Sequence, residues 1–109
     1  MRGFEPLAWV LQAITGIAMV FLITVHFFAT HSAHDLLSYE SAVERLKSFD
    51  YKLFYASLLI VVSFHAFNGL RAVILDTEGG MKRKRLVNVS IAMLAILAIA
   101  YGLFLLMRF

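Results

Sequence analysis

The sequence holds 109 residues, 61% of them hydrophobic and only 16% charged, where a soluble domain is roughly half apolar and a quarter charged. A soluble core this short has no room for that much apolar surface, which excludes an ordinary globular domain. The formal net charge is +3 and there is no cysteine, which excludes disulfide frameworks, thiolate metal sites and covalently attached haem.

The apolar residues fall into three runs, 7–30, 54–75 and 86–107. Each is about 22 to 24 residues long, enough to cross ~30 Å of hydrocarbon at 1.5 Å per residue. Backbone groups in lipid must pair within their own segment, so each run predicts a helix. The expected fold is an all-α membrane protein, one domain with three transmembrane helices in up-down-up order.

The first run follows Pro6, whose missing N–H costs nothing at a helix start. It is longer than a signal-peptide core, and Thr24, His26, Phe27 and Phe28 occupy the place of a small-residue cleavage site, so it reads as a retained span. Its polar residues are Gln12, Thr15, Thr24 and His26, with Thr15, Leu22 and His26 on one stripe at ~100° per residue. The outer loop, 31–53, carries Ser41 and Glu44 in a capping-box pattern, then Val43, Leu46 and Phe49 at three-residue spacing. This predicts a short amphipathic helix on the membrane surface, anchored by Tyr51 and Tyr55.

The second run holds Ser57, Ser63, His65, Asn68 and Gly69, and its two charges, Arg71 and Asp76, sit at or just past its end. The loop 76–85 turns at Gly79 and Gly80. Lys82, Arg83, Lys84 and Arg85 then precede the third run, whose few polar residues, Asn88, Ser90 and Tyr101, read as packing. The amino terminus and this loop hold six basic residues (Arg2, Arg71 and those four), against four on the other side (Arg45, Lys47, Lys52, Arg108). The positive-inside rule therefore puts the amino terminus in the cytoplasm. The basic run reads as an orientation signal beside anionic lipid, with docking of a soluble partner as the alternative, and it is too short for a nucleic-acid interface.

Polar residues inside a membrane are costly and mark function. A histidine there ligates a metal such as haem iron, hydrogen-bonds another helix or relays protons, and for His65 all three are open. Gly69 shares its face, so a flat ligand held by the imidazole could slide over the missing side chain. His31 and His34 lie at the outer interface, where solvation is available. His26 stands about 28 Å along the first helix, near the outer face, and His65 about 16 Å down the second, near the midplane. The two depths differ by roughly 10 Å. That makes them poor partners for one iron, and each would need a histidine from another chain.

The run His65-Ala-Phe-Asn-Gly69-Leu-Arg71-Ala-Val-Ile-Leu-Asp76 resembles the second-helix motif of the succinate dehydrogenase/fumarate reductase membrane anchors of cytochrome b type. That motif reads His, three residues, Gly, an aliphatic, Arg, His, three residues and Asp; Ala72 stands where the family has its second histidine. Trp9-Val-Leu-Gln12-Ala13-Ile-Thr15-Gly16 is similar to the family's Ser-x-x-His-Arg-x-Ser/Thr-Gly element and keeps its final pair.

The resemblance implies half of a heterodimeric haem-binding bundle. His65 becomes an axial ligand of haem b, and His26 a ligand of a second, outer haem. Arg71 would face a haem propionate, with snorkelling to lipid headgroups as the alternative. Trp9 and Ala13 replace the family's quinone-binding Ser and Arg, while Trp9, Gln12 and Asp76 keep the level of a quinone site. The implied partners are a second anchor subunit, and an iron–sulfur protein and a flavoprotein on the cytoplasmic face. Three rival readings are a haem-free structural anchor, a cytochrome b subunit of another respiratory enzyme such as a membrane hydrogenase, and a small proton-coupled transporter. No arginine-rich presequence precedes Leu7, which favours a prokaryotic cell membrane over an imported organelle protein.

Overall fold

Amides and carbonyls that enter hydrocarbon have to bond within their own segment, and the chain meets that demand with three long helices. The computed structural model describes residues 4–109; Arg2, counted in the charge balance, lies outside them. The elements are α1 (Phe4–His31), α2 (Tyr39–Lys47), α3 (Phe49–Leu75), α4 (Glu78–Lys82) and α5 (Lys84–Met107), with one 3-10 turn at His34–Leu37. Helices α1, α3 and α5 are each long and apolar enough to cross a membrane. The chain is an all-α, multi-pass membrane protein.

Each long helix outruns its apolar run, most visibly α3, which starts at Phe49 and not at residue 54. Hydropathy marks where hydrocarbon ends, whereas a helix continues until its terminal amides and carbonyls find other partners. Acidic residues in the first turns, Glu5 in α1 and Asp50 in α3, favour those starts by opposing the helix dipole.

The connections depart from the sequence expectation in two places. The cap of α2 is Ser38, whose side chain accepts from the Ser41 amide at 3.1 Å, so the helix begins three residues before the expected box. Ser48 then adopts an extended conformation and breaks the Val43–Leu46–Phe49 stripe; Phe49 opens α3 and is exposed. In the second connection the glycines are helical residues of α4. The reversal is made at Asp76 and Thr77, and Thr77 caps α4 by accepting from the Gly80 amide at 2.9 Å. Gly80 is required there because a Cβ would fall 2.0 Å from the Ile74 carbonyl oxygen, whereas one on Gly79 would meet nothing.

Helix α3 is the middle of the bundle. It packs on α1 along one side and α5 along the other, and those two barely touch. At α3–α5 the close approach is made by Gly102, where an added Cβ would lie 2.6 Å from Leu59. The interior is sparse and unusually polar: Ala8, Leu75, Ile91 and Leu106 are the buried apolar residues, beside buried Thr30, Ser63, Asn68 and Arg71. Large side chains such as Phe21, Ile17, Val73 and Ile96 point outward. Small residues and polar bonds hold helices together where lipid is as apolar as leucine.

Candidate functional site

The polar residues of α1 and α3 meet in one continuous chain of hydrogen bonds. It starts where α1 begins and α3 ends. Arg71, 6% exposed, makes a two-pronged ion pair with Glu5, Nη1 to Oε2 at 2.8 Å and Nη2 to Oε1 at 3.1 Å. Its Nη1 also donates to Asn88 Oδ1 on α5 at 3.0 Å, and its Nε to Asn68 Oδ1 at 3.4 Å. One guanidinium thus ties together three helices, in the forked geometry that suits arginine. Arg71 is buried within the bundle, and the carboxylate it meets belongs to Glu5. Sequence reasoning missed Glu5 because it precedes the apolar run; the available signal was an acid in the first turn of α1, level with the last turns of an antiparallel α3.

One step deeper, the Asn68 amide donates to the Ala8 carbonyl at 3.2 Å and to Gln12 Oε1 at 2.8 Å. Gln12 in turn donates from Nε2 to the His65 carbonyl at 3.1 Å, and the same nitrogen lies 3.5 Å from His65 Nε2. On the other side of the ring, His65 Nδ1 is 3.1 Å from Thr15 Oγ1. Two glycines make this approach possible. A Cβ on Gly69 would come within 2.9 Å of Gln12 Nε2, and one on Gly16 within 3.3 Å of His65 Cε1. The face of Gly69 is therefore filled by the Gln12 amide reaching across from α1. Spacing had shown that His65 and Gly69 share a face, but not that α1 would occupy it.

His26 lies apart, toward the other end of α1. Its ring stacks on Phe54 (centroids 6.4 Å apart, 21° between planes) and meets the edge of Tyr55 at 5.5 Å. Its Nδ1 is buried and has no hydrogen-bond partner among the described residues. Beside it a cleft of about 260 Å³ opens between α1, α2 and α3, lined among others by Thr30, His31, Arg45 and Tyr55. His31 and His34 are exposed. The remaining candidates are dispersed: Trp9 is 72% exposed on the outer side of α1, and Asp76 is an exposed cap at the end of α3. Gln12 alone of the three reaches the polar chain.

Residues 4–105, nearly the whole chain, match the family described as succinate dehydrogenase/fumarate reductase transmembrane subunit. The chain belongs to that family. It is 52% identical over 103 residues to the succinate dehydrogenase hydrophobic membrane anchor subunit of Archaeoglobus fulgidus, covering 94% of this chain and 88% of that protein. It is 26% identical over 93 residues to the protein of the same description from Thermoplasma acidophilum, covering 84% and 76%. As a membrane anchor of this family, the subunit sits in the bilayer and associates with the other subunits of its complex.

The residues at the polar chain fit a metal-bound group at His65. One ring nitrogen faces a hydroxyl and the other makes only a long contact, the division found at metal-ligating histidines, whose second nitrogen is held by the protein. Among the described residues no three His, Asp or Glu side chains converge as a self-sufficient metal site.

Proposed function

We propose that this anchor subunit binds haem b and serves the transfer of electrons from an iron–sulfur subunit to membrane quinone in a succinate:quinone oxidoreductase. The supporting observation is the inequality of the two His65 contacts, 3.1 Å at Nδ1 and 3.5 Å at Nε2. Bound haem would supply a one-electron carrier. The chain's own residues supply an axial ligand, His65, and a scaffold of Thr15, Gln12, Asn68 and Arg71 that holds it inside the bundle. The other anchor subunit would supply the remaining ligand to the iron. Substrate oxidation belongs to the flavoprotein and quinone reduction to the end of the bundle bearing Asp76 and Trp9. That end also carries Lys82 to Arg85, which by the positive-inside rule lies in the cytoplasm of a prokaryotic cell, where the soluble subunits dock.

The free Nδ1 and aromatic stacking of His26 support a second, outer haem held by that residue. A haem-free anchor is the competing reading, favoured by the fact that both nitrogens of His65 already face groups of the same chain. The optical spectrum of the purified complex separates these. His65→Ala is expected to abolish a b-type haem signal, and His26→Ala to remove one of two. A colourless native preparation, or a full haem signal in His65→Ala, overturns ligation by His65.

A further inference from the structure

The hydrogen bonds around His65 carry a direction, and it determines where the ring proton sits. Arg71 has donors only, so the Asn68 atom facing its Nε is the carbonyl oxygen Oδ1. The Asn68 NH2 then faces two acceptors, the Ala8 carbonyl and Gln12 Oε1. Gln12 is oriented independently by the His65 carbonyl, which can only accept from its NH2. That NH2 is therefore what His65 Nε2 meets, and a proton on Nε2 would leave N–H facing N–H. On the far side, the single hydroxyl proton of Thr15 is directed to its own helix, with Leu11 O at 2.7 Å and Gln12 O at 3.1 Å. Thr15 Oγ1 thus presents a lone pair to His65 Nδ1 at 3.1 Å. Both neighbours require the same answer.

We propose that Asn68, Gln12 and Thr15 are positioning residues which, oriented from Arg71, hold His65 as its Nδ1–H tautomer and keep the Nε2 lone pair for an axial bond to haem iron. The inference rests on the haem reading for its purpose, but the tautomer itself is a property of the chain alone. Iron at Nε2 would take the place of the Gln12 amide nitrogen, which also bonds the His65 carbonyl, so Gln12 sets the tautomer in the haem-free chain while Thr15 can hold it in both states. A hydrogen bond from Nδ1–H makes an imidazole a more basic ligand and so favours the oxidised metal; losing it raises the reduction potential.

Two measurements test this. The first is 15N NMR of the full-length chain, labelled at histidine and held haem-free in lipid nanodiscs, with the His65 signal identified by its loss in His65→Ala. The Nδ1–H tautomer is expected in the native chain and in Thr15→Ser, and a mixture in Thr15→Val, which keeps the shape and removes the acceptor. The second is a redox titration and EPR spectrum of the haem-loaded complex. Thr15→Val is expected to shift the midpoint potential upward and Thr15→Ser to restore it, a pattern that a packing defect would not reproduce. An Nε2–H tautomer in the native chain, or an unchanged potential in haem-replete Thr15→Val, overturns the proposal. A full haem signal in His65→Ala overturns the ligation reading instead, and the NMR result then decides the tautomer on its own.

Discussion

The two ends of the bundle treat a histidine in opposite ways. Where α1 begins and α3 ends, His65 is reached through an unbroken series from the Glu5–Arg71 ion pair, and each side-chain amide on the way has its donor and acceptor matched. Toward the other end, His26 rests between aromatic rings with a bare Nδ1, and the Nε of neighbouring Arg45 is likewise buried without a partner. The first arrangement makes a side chain rigid and specifies its orientation. The second leaves a ring located by shape alone beside an open cleft. Two histidines of one chain, both in apolar helices, are thus held to very different degrees.

Four single substitutions and one double variant test that contrast. The largest effect is expected from Glu5→Ala, which strands the buried Arg71 charge. Removing one partner of a buried pair costs about 3 to 5 kcal/mol, read as a fall in thermal or denaturant stability in detergent. Adding Arg71→Met to Glu5→Ala should recover much of that loss, because the cost lies in a buried guanidinium deprived of its Glu5 carboxylate. If the double variant is as unstable as the single one, the pair is not what organises this end.

Next is His65→Leu in the haem-free protein. It takes away the ring that the Gln12 amide and the Thr15 hydroxyl face, leaves them only their other bonds, and sets an apolar side chain against them, at a cost of about 1 to 3 kcal/mol. Gly69→Ala should cost about 1 to 3 kcal/mol as well, since its Cβ pushes the Gln12 amide out of line, and it should disturb the His65 NMR signal while leaving that of His26 in place. The smallest effect belongs to His26→Leu. Replacing a half-buried imidazole whose Nδ1 has no hydrogen-bond partner among the described residues by an apolar group should change stability by less than about 0.5 kcal/mol in either direction. Equal losses for His26→Leu and His65→Leu would erase the contrast between the two ends.

The first-helix element Thr15-Gly16 shows how far motif reading reaches. Its similarity to a family pattern marked both positions, but their use is spatial: the hydroxyl lies at hydrogen-bond distance from the ring of a residue fifty positions away, and the missing side chain makes room for that ring. Asn68 was visible as an intramembrane polar residue and lies three residues from both His65 and Arg71, yet that spacing alone does not say which atom donates to which. Asn88 read as packing and proved to be a partner of Arg71. Its signal was only that it lies early in α5, level with the end of α3.

The sequence by itself determined the solvent, the number of spans and the presence of two histidines within them, because apolar length and the scarcity of charge depend on composition and not on folding. It also carried the family. What only the tertiary structure decided is the pairing across helices: that Arg71 is closed by Glu5, that Gly69 is covered by Gln12, and that His65 is held while His26 is not. Those outcomes depend on the rotation and height of α1 against α3. Packing of small residues and matching of donors to acceptors set that relation, and neither can be read along a single helix.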